Sequence, residues 1–361
     1  MKIFQLIQKP QRRGAEIFAI QLSESLISLG HEVKLIALYK NEKQLSFKGD
    51  LIFLDRLLQR RFFDFEGWRQ LSDLIKEFQP DLVQANAADT LKFAVFSRLI
   101  FGWKAKLVYR NANQMGDFIR GFWHRKFNQF LVDRLEGVIS VSEASQIDFF
   151  KTFRFPVQKS RTIPIGIVSR DIDKKLKEVQ KLPPSRYLIQ IGSWVPEKDS
   201  LGMLDMFVQL QDESLNLVFL GSGPLEEEMR RKILDLGLLH RVTLLPNRAN
   251  IFPILSRAQA LVMPSKIEGL PAVILEAMYC RVPVVAYGVG GIPEVLKSGM
   301  TGWCIEPGNR KGFVQAIQEV LEMDEDRKKE ILDSAFDLVT SDYNLSTLAI
   351  KFEKFYREIL E

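Results

Sequence analysis

Apolar positions along this chain recur with two periods, one of two residues and one between three and four, and the two exchange repeatedly. KIFQLIQ (Lys2 to Gln8) predicts a strand, and Gly14 to Leu29 an amphipathic helix with Phe18, Leu22, Leu26 and Leu29 spaced four, four and three apart. GHEVKLIAL then opens a second strand. A strand, loop, helix, strand unit begins a doubly wound parallel sheet. Strand-like segments return at Asp81 to Ala85, Lys106 to Arg110, Gly137 to Val141 and Arg161 to Ile165, with a helix over Asp89 to Phe101. Between Ile167 and Pro184 the stretch DIDKKLKEVQKLPPS is charged, poor in bulky apolar residues and closed by prolines, which marks a domain boundary. The pattern restarts at Arg186 to Ser193 and continues through LNLVFLGSGPLEEEMR (Leu215 to Arg230), ALVMPS (Ala260 to Ser265) and VPVVAY (Val282 to Tyr287). Helical segments follow at Lys311 to Leu321, Glu325 to Val339 and Tyr343 to Leu360. The expected fold is α/β, with doubly wound parallel-sheet domains over residues 1–170 and 171–342 and a last helix over 343–361.

Composition narrows the class. The 361 residues suffice for two full cores, and 46% hydrophobic with 26% charged content is ordinary for a globular chain. Cys280 and Cys304 lie in apolar contexts and read as buried thiols in a reducing compartment. His31, His124 and His240 are too scattered for an imidazole metal site, so no metal is expected. The first apolar run, Ile3 to Ile7, is short for a signal peptide, and charge interrupts every candidate span. A cytoplasmic location, free or peripheral on the inner face of the cell membrane, is expected. Residues 1–170 carry 27 Lys+Arg against 17 Asp+Glu, a balance of +10, and residues 171–361 carry 23 against 28, a balance of −5. An anionic partner is therefore expected for the first half.

Candidate chemistry gathers where strands end. In SKIEGLPAVILEAMYCRVPVVAYGVGGIPE (Ser265 to Glu294), Gly269 breaks the strand, Pro271 suits a helix start, and Ala272 to Tyr279 is the helix. Glu268 and Glu276 are eight positions apart, which along one helix is about 80° off the same face; they pair well only if Glu268 is in the loop. The carboxyl edge of a parallel sheet beside a helix start attracts phosphate, and carboxylates there accept hydrogen bonds from diols. The alternative is two ordinary solvated glutamates. GVGGIPE (Gly288 to Glu294) is a second glycine turn of this kind. In the first half, Arg12, Arg13 and Gly14 stand at a helix start, and Asn86, Arg110, Asn111 and Asn113 follow strands on one sheet edge. The asparagines read equally as turn formers. Gly221 and Gly223 lack the third glycine of a dinucleotide fingerprint, which disfavours a nicotinamide enzyme.

The string EGLPAVILEAMYCRVPVVAYGVGGIPEVLKSGMTGWCIEPGN resembles the signature of family 4 glycosyltransferases, retaining enzymes with the GT-B fold of two Rossmann-like domains facing across a cleft. The resemblance is strong from Arg186 to Asn309, and GAE followed by GHEV is similar to the family's opening. It implies a nucleoside diphosphate sugar donor in the cleft, with Glu276 on the ribose diol and Glu268 at the donor sugar. The backbone of Gly269 and Leu270, ahead of Pro271, would face the sugar and diphosphate. It also implies donor contacts at Gly14, Ser193, Lys198, Asn247 and Arg248, with Glu268 and Lys198 as the catalytic pair and no metal required. Arg12, Arg13, Asn86, Arg110 and Asn111 are the acceptor-side candidates, and the last helix would return to brace the first domain. The sequence departs from the family pattern in four places: Arg13-Gly14 replaces two glycines, Ile165 and Val168 stand where Asn and Asp are usual, Ser193 stands where an arginine is usual, and no histidine occupies the acceptor-side turns.

Two stretches combine cations and aromatic rings: Leu57 to Trp68, and FIRGFWHRKFNQFLVDR (Phe118 to Arg134). Such a pattern suits a membrane interface or a core helix with a solvated basic face. The charge balance inclines toward an anionic membrane, and no nucleic-acid motif accompanies it. The expected function is retaining transfer of a sugar to a glycan or lipid-linked acceptor in surface polysaccharide or glycolipid assembly. Two alternatives stay open: a catalytically weakened sugar-nucleotide or glycan-binding partner, and a sugar-nucleotide epimerase of the same fold.

Overall fold

The computed structural model describes residues 1–11, 13–41, 45–180, 183 and 186–361, and the chain divides into two compact units, Met1–Gly166 with Leu345–Glu361, and Ile167–Asn344. The first unit runs β1 (Lys2–Ile7), α1 (Gly14–Ser28), β2 (Glu32–Tyr39), β3 (Asp50–Arg56), α2 (Phe65–Phe78), β4 (Leu82–Ala85), α3 (Ala88–Phe101), β5 (Lys106–Asn111), α4 (Gly121–Val132), β6 (Gly137–Ser140), α5 (Glu143–Thr152) and β7 (Ser160–Thr162). Its sheet is parallel throughout in the order β3-β2-β1-β4-β5-β6-β7, so the winding reverses between β1 and β4. Strands such as β1, β4 and β6 are buried on both faces, so they lack the alternation of a half-exposed strand and bury even Gln5, Gln84 and Ser140.

The second unit runs α6 (Ser169–Leu176), β8 (Tyr187–Ile191), α7 (Ser200–Val208), β9 (Asn216–Leu220), α8 (Glu226–Asp235), β10 (Val242–Leu245), α9 (Phe252–Leu255), β11 (Ala260–Met263), α10 (Ala272–Tyr279), β12 (Val284–Tyr287), α11 (Ile292–Val295), β13 (Trp303–Ile305), α12 (Arg310–Glu322) and α13 (Glu325–Asp342). Its parallel sheet has the order β10-β9-β8-β11-β12-β13, with the same reversal between β8 and β11. The chain then returns as α14 (Leu345–Leu360), which packs on α1 of the first unit. There the buried Tyr356 hydroxyl donates to Gln84 Oε1 at 2.6 Å, and His31 Nε2 lies 3.2 Å from Glu353.

Several expectations are corrected. β3 was not expected; it is an edge strand with a half-exposed face, so its apolar pattern is diluted. The charged boundary stretch is not all connector. Val168, Ile172 and Leu176 fall four apart, and Ser169–Leu176 folds as α6 with Ile172 buried; Lys181, Leu182, Pro184 and Ser185 lie outside the described residues. Leu29 caps α1 and is exposed, and Tyr343 caps α13, so α14 starts two residues late. Arg110 and Asn111 do not follow β5; they are its last two residues and are buried. Among the described residues no helix is long and apolar enough to cross a membrane.

Candidate functional site

All strands of a parallel sheet end on one edge, so the loops after β8, β9, β11 and β12 converge regardless of sequence separation. Here they meet backbone to backbone. A Cβ added to Gly221, after β9, would lie 1.9 Å from the carbonyl oxygen of Gly192, after β8. Gly290, after β12, takes φ +56°, and a Cβ there would lie 1.9 Å from the carbonyl oxygen of Glu268. The Gly291 N–H donates to the Gly269 carbonyl at 2.5 Å. Only glycine permits these approaches, and they set the position of the Glu268 loop.

Glu268 lies in the loop after β11, as its spacing from Glu276 requires, and is 7% exposed. Lys198 ends a 3-10 turn, Pro196–Lys198, and its Nζ donates to Glu268 Oε1 as an ion pair. Further contacts hold the pair in place. Gln190 Nε2 donates to the Lys198 carbonyl at 2.8 Å, Lys266 Nζ lies 3.0 Å from Asp199 Oδ1, and the Lys266 N–H donates to the Glu197 carbonyl at 2.8 Å. Asp199 takes φ +47°, which turns the chain from the Lys198 loop into α7. Asp199 and Lys266 carry little signal in the sequence beyond their places, one residue after Lys198 and two before Glu268.

Leu270 is buried and Pro271 caps α10, which carries Glu276 half-buried in its second turn. Burial pushes the Glu276 carboxyl up to about 7, with the Lys175 charge of α6 pulling the other way. The boundary stretch thus supplies a cation to the site. Burial, then the Glu276 and Asp173 charges, push the nearby Cys280 thiol up to about 12, and both cysteines are free thiols. Ser193 is half-buried beside buried Trp194, and the exposed Asn247 donates through Nδ2 to Ser222 Oγ at 2.8 Å. Arg248 is half-buried after β10. An ion pair joins Lys198 to Glu268; Ser193 shares the loop of Lys198, and Asn247 lies on the loop after β10 at the same edge.

In the first unit, Gly14 opens α1 with its backbone exposed and space for a Cβ, Arg13 is exposed at the N-cap, and Arg12 lies outside the described residues. Asn86 is committed to the scaffold: its Nδ2 donates to Gln5 Oε1 at 2.8 Å, and its Oδ1 accepts from Gln84 Nε2 at 3.0 Å. Asn111 Nδ2 likewise donates to the Ser145 carbonyl at 3.1 Å. Arg110 is different. Its guanidinium lies over the Phe18 ring at 4.2 Å, and its Nε and Nη1 have no hydrogen-bond partner among the described residues. Burial pulls its pKa down to about 10, opposed by Tyr356, Tyr109 and Glu16. Glu16, unremarked in the sequence, is buried in the first turn of α1, and burial raises its carboxyl pKa against Gln11, Arg13 and Arg110. Its spacing to Ala19 and Ile20 placed it on the buried face. Among the described residues no group of three metal-ligating side chains occurs.

The family model "Glycosyl transferases group 1" matches residues 171–331, and "Glycosyltransferase Family 4" matches residues 12–170. N-acetyl-alpha-D-glucosaminyl L-malate synthase of Bacillus anthracis is 28% identical over 193 residues, 53% of this chain and 50% of that protein. Alpha-D-kanosaminyltransferase of Streptomyces kanamyceticus is 27% identical over 189 residues, 51% of this chain and 49% of that protein. The matched region thus spans about half the length of these curated relatives. A protein of Anabaena, solved in complex with UDP and glucose, superposes with a TM-score of 0.83 at 19% identity, covering 99% of this chain and 100% of that one. That likeness shows a shared GT-B fold.

Proposed function

The chain belongs to the family 4 glycosyltransferases, and on that premise we propose that it moves a sugar, with retention at the anomeric carbon, from a nucleoside diphosphate sugar to a glycan or lipid-linked acceptor in surface polysaccharide or glycolipid assembly. The observation that carries this reading is the Lys198–Glu268 pair, seated on glycine loops at the carboxyl edge of the second unit's sheet. Breaking the bond between the anomeric carbon and the diphosphate develops negative charge on the leaving oxygen and positive charge on the sugar. Lys198 meets the first, and the carboxylate of Glu268 faces the second. Glu276 takes the ribose diol, and Asn247 and Arg248 run beside the base. Arg110, with its unpaired N–H groups, is the acceptor-side residue best suited to an anionic acceptor group. The relatives support the class: one is named for joining a glucosaminyl group to L-malate, another for transferring kanosamine.

The test is NMR of the protein mixed with single nucleoside diphosphate α-sugars and candidate acceptors. Sugar released or transferred first as the α-anomer is expected. A β-anomer would contradict retention, and no consumption of any donor would contradict transfer. Ser193, where resembling sequences carry arginine, favours a second reading as a sugar-nucleotide-binding partner, whose mark is donor binding without turnover. The glycine contacts give a sharper check. Gly290→Ala puts a Cβ against the Glu268 carbonyl in a left-handed backbone, so the loop must shift. A displacement near 1 Å at a reacting group costs about a hundredfold in turnover. Donor turnover in a variant that keeps its far-ultraviolet dichroism measures this, and unchanged turnover would remove Glu268 from the reacting site.

A further inference from the structure

Most aromatic side chains of the first unit close its core, but a group around α4 does not. Trp123 is 81% exposed, Phe63 73%, Phe62 66% and Phe122 63%. Rings packed beneath the surface link α4 to the segment before α2: exposed Phe63 meets buried Trp68 at 5.5 Å, Trp68 meets Phe96 at 5.3 Å, and Phe96 meets Phe127 at 6.2 Å. The two stretches that the sequence presents 50 or so residues apart are therefore neighbours across α3, and both carry exposed rings.

Cations stand among these rings. Phe118 to Arg134 carries Arg120, Arg125, Lys126 and Arg134 against a single acid, Asp133. Lys126 lies 5.4 Å from the Phe122 ring, and Arg61 and Lys92 lie 5.1 and 4.4 Å from Phe62. Among the described residues, Arg60, Arg61, Arg120 and Lys126 form no ion pair. A protein partner with an apolar face would leave these charges unpaired, and a second copy would set cation against cation. A lipid surface meets both demands, because rings enter the headgroup boundary while neighbouring cations meet phosphates.

We propose that this face docks the first unit on an anionic lipid surface, with Phe122, Trp123, Phe62 and Phe63 entering the headgroup layer and Arg60, Arg61, Arg120 and Lys126 meeting lipid phosphates. The inference deepens the proposed transfer and rests on its lipid-linked acceptor, which the docked protein would meet at the membrane surface.

Vesicle flotation tests it, with phosphatidylcholine alone and with added phosphatidylglycerol. Wild type binds the anionic vesicles and is released by salt. Phe122→Ser with Trp123→Ser lowers binding about a hundredfold, from the apolar surface it withdraws. Arg120→Gln with Lys126→Gln lowers it at least about tenfold. Brominated lipid quenches the wild-type tryptophan emission, and Trp123→Phe removes that quenching. Binding undiminished by the paired aromatic variant overturns the proposal, as does a failure of wild type to bind. Self-association of wild type that this variant abolishes gives the patch to a second copy and also overturns it. Thermal stabilisation by donor, measured on the same samples, separates the two readings. A donor response without vesicle binding removes the docking and keeps the transfer; vesicle binding without a donor response does the reverse.

Discussion

Lys198→Ala lowers donor turnover by about a hundredfold to a thousandfold, the loss seen when one preorganised electrostatic group is removed from a developing charge. The same change destabilises the protein, because Glu268 is left buried without its cation. Breaking a fully buried pair costs about 3–5 kcal/mol. Lys198 keeps 24% of its side chain exposed, so solvent screening reduces the effect to about 1–3 kcal/mol. The two consequences separate in a double variant. Adding Glu268→Gln to Lys198→Ala removes the orphaned charge and restores much of the stability, while turnover stays low because the cation is still missing. Thermal unfolding and steady-state donor consumption measured side by side check this. Turnover that recovers together with stability would make the pair a structural brace and end its catalytic assignment.

Glu276→Gln converts a pH-dependent donor affinity into a flat one. Burial holds the Glu276 carboxyl near 7, and only the ionised form accepts both ribose hydroxyls without competing for a proton. Wild-type affinity is therefore full above about pH 7 and falls toward about tenfold per unit below it. The variant loses one or two charge-assisted hydrogen bonds, so at alkaline pH its dissociation constant rises about tenfold to a hundredfold, and it shows no inflection near 7. Stability moves the opposite way. A carboxyl whose folded pKa lies above its unfolded value keeps extra protons in the folded state between the two, so its contribution is highest below about 4.5 and is lost as pH rises through about 7. At pH above 7, Glu276→Gln is expected to unfold at a higher temperature than wild type while binding donor worse. Calorimetric titration across the pH range reads the first effect, and thermal scans in the same buffers read the second. A wild-type profile without an inflection would place Glu276 away from the diol.

The loop edge of the second unit was more legible in the sequence than that of the first, and the reason is local. Gly269, Pro271 and the apolar run after them specify a strand end, a loop and α10 within a few residues, so Ala272 to Tyr279 agreed with the observed helix residue for residue. Asn86 and Asn111 carried no comparable information. Asparagine serves turns, strand ends and buried networks alike, and only the fold shows their amides bonded to Gln5 and Ser145. The Lys198–Glu268 pair joins residues 70 apart, which spacing cannot reveal. α6 was obscured by its charge, although Val168, Ile172 and Leu176 already traced a stripe. The exposed rings of α4 show the converse difficulty: helical spacing of Trp123, Phe127 and Phe130 fits a core helix and a surface one equally, and burial alone decides between them.

Calorimetric titration of nucleoside diphosphate sugars into wild type, Lys198→Ala and Glu276→Ala tests the central claim most directly. The account expects at least one donor to bind the wild type once per chain, in about the micromolar to millimolar range usual for substrates. Both variants should bind it at least about tenfold more weakly, a loss of about 1.4 kcal/mol. A donor held equally well by all three proteins, or no donor held by the wild type, would contradict a donor site built on the loops after β8 and β11.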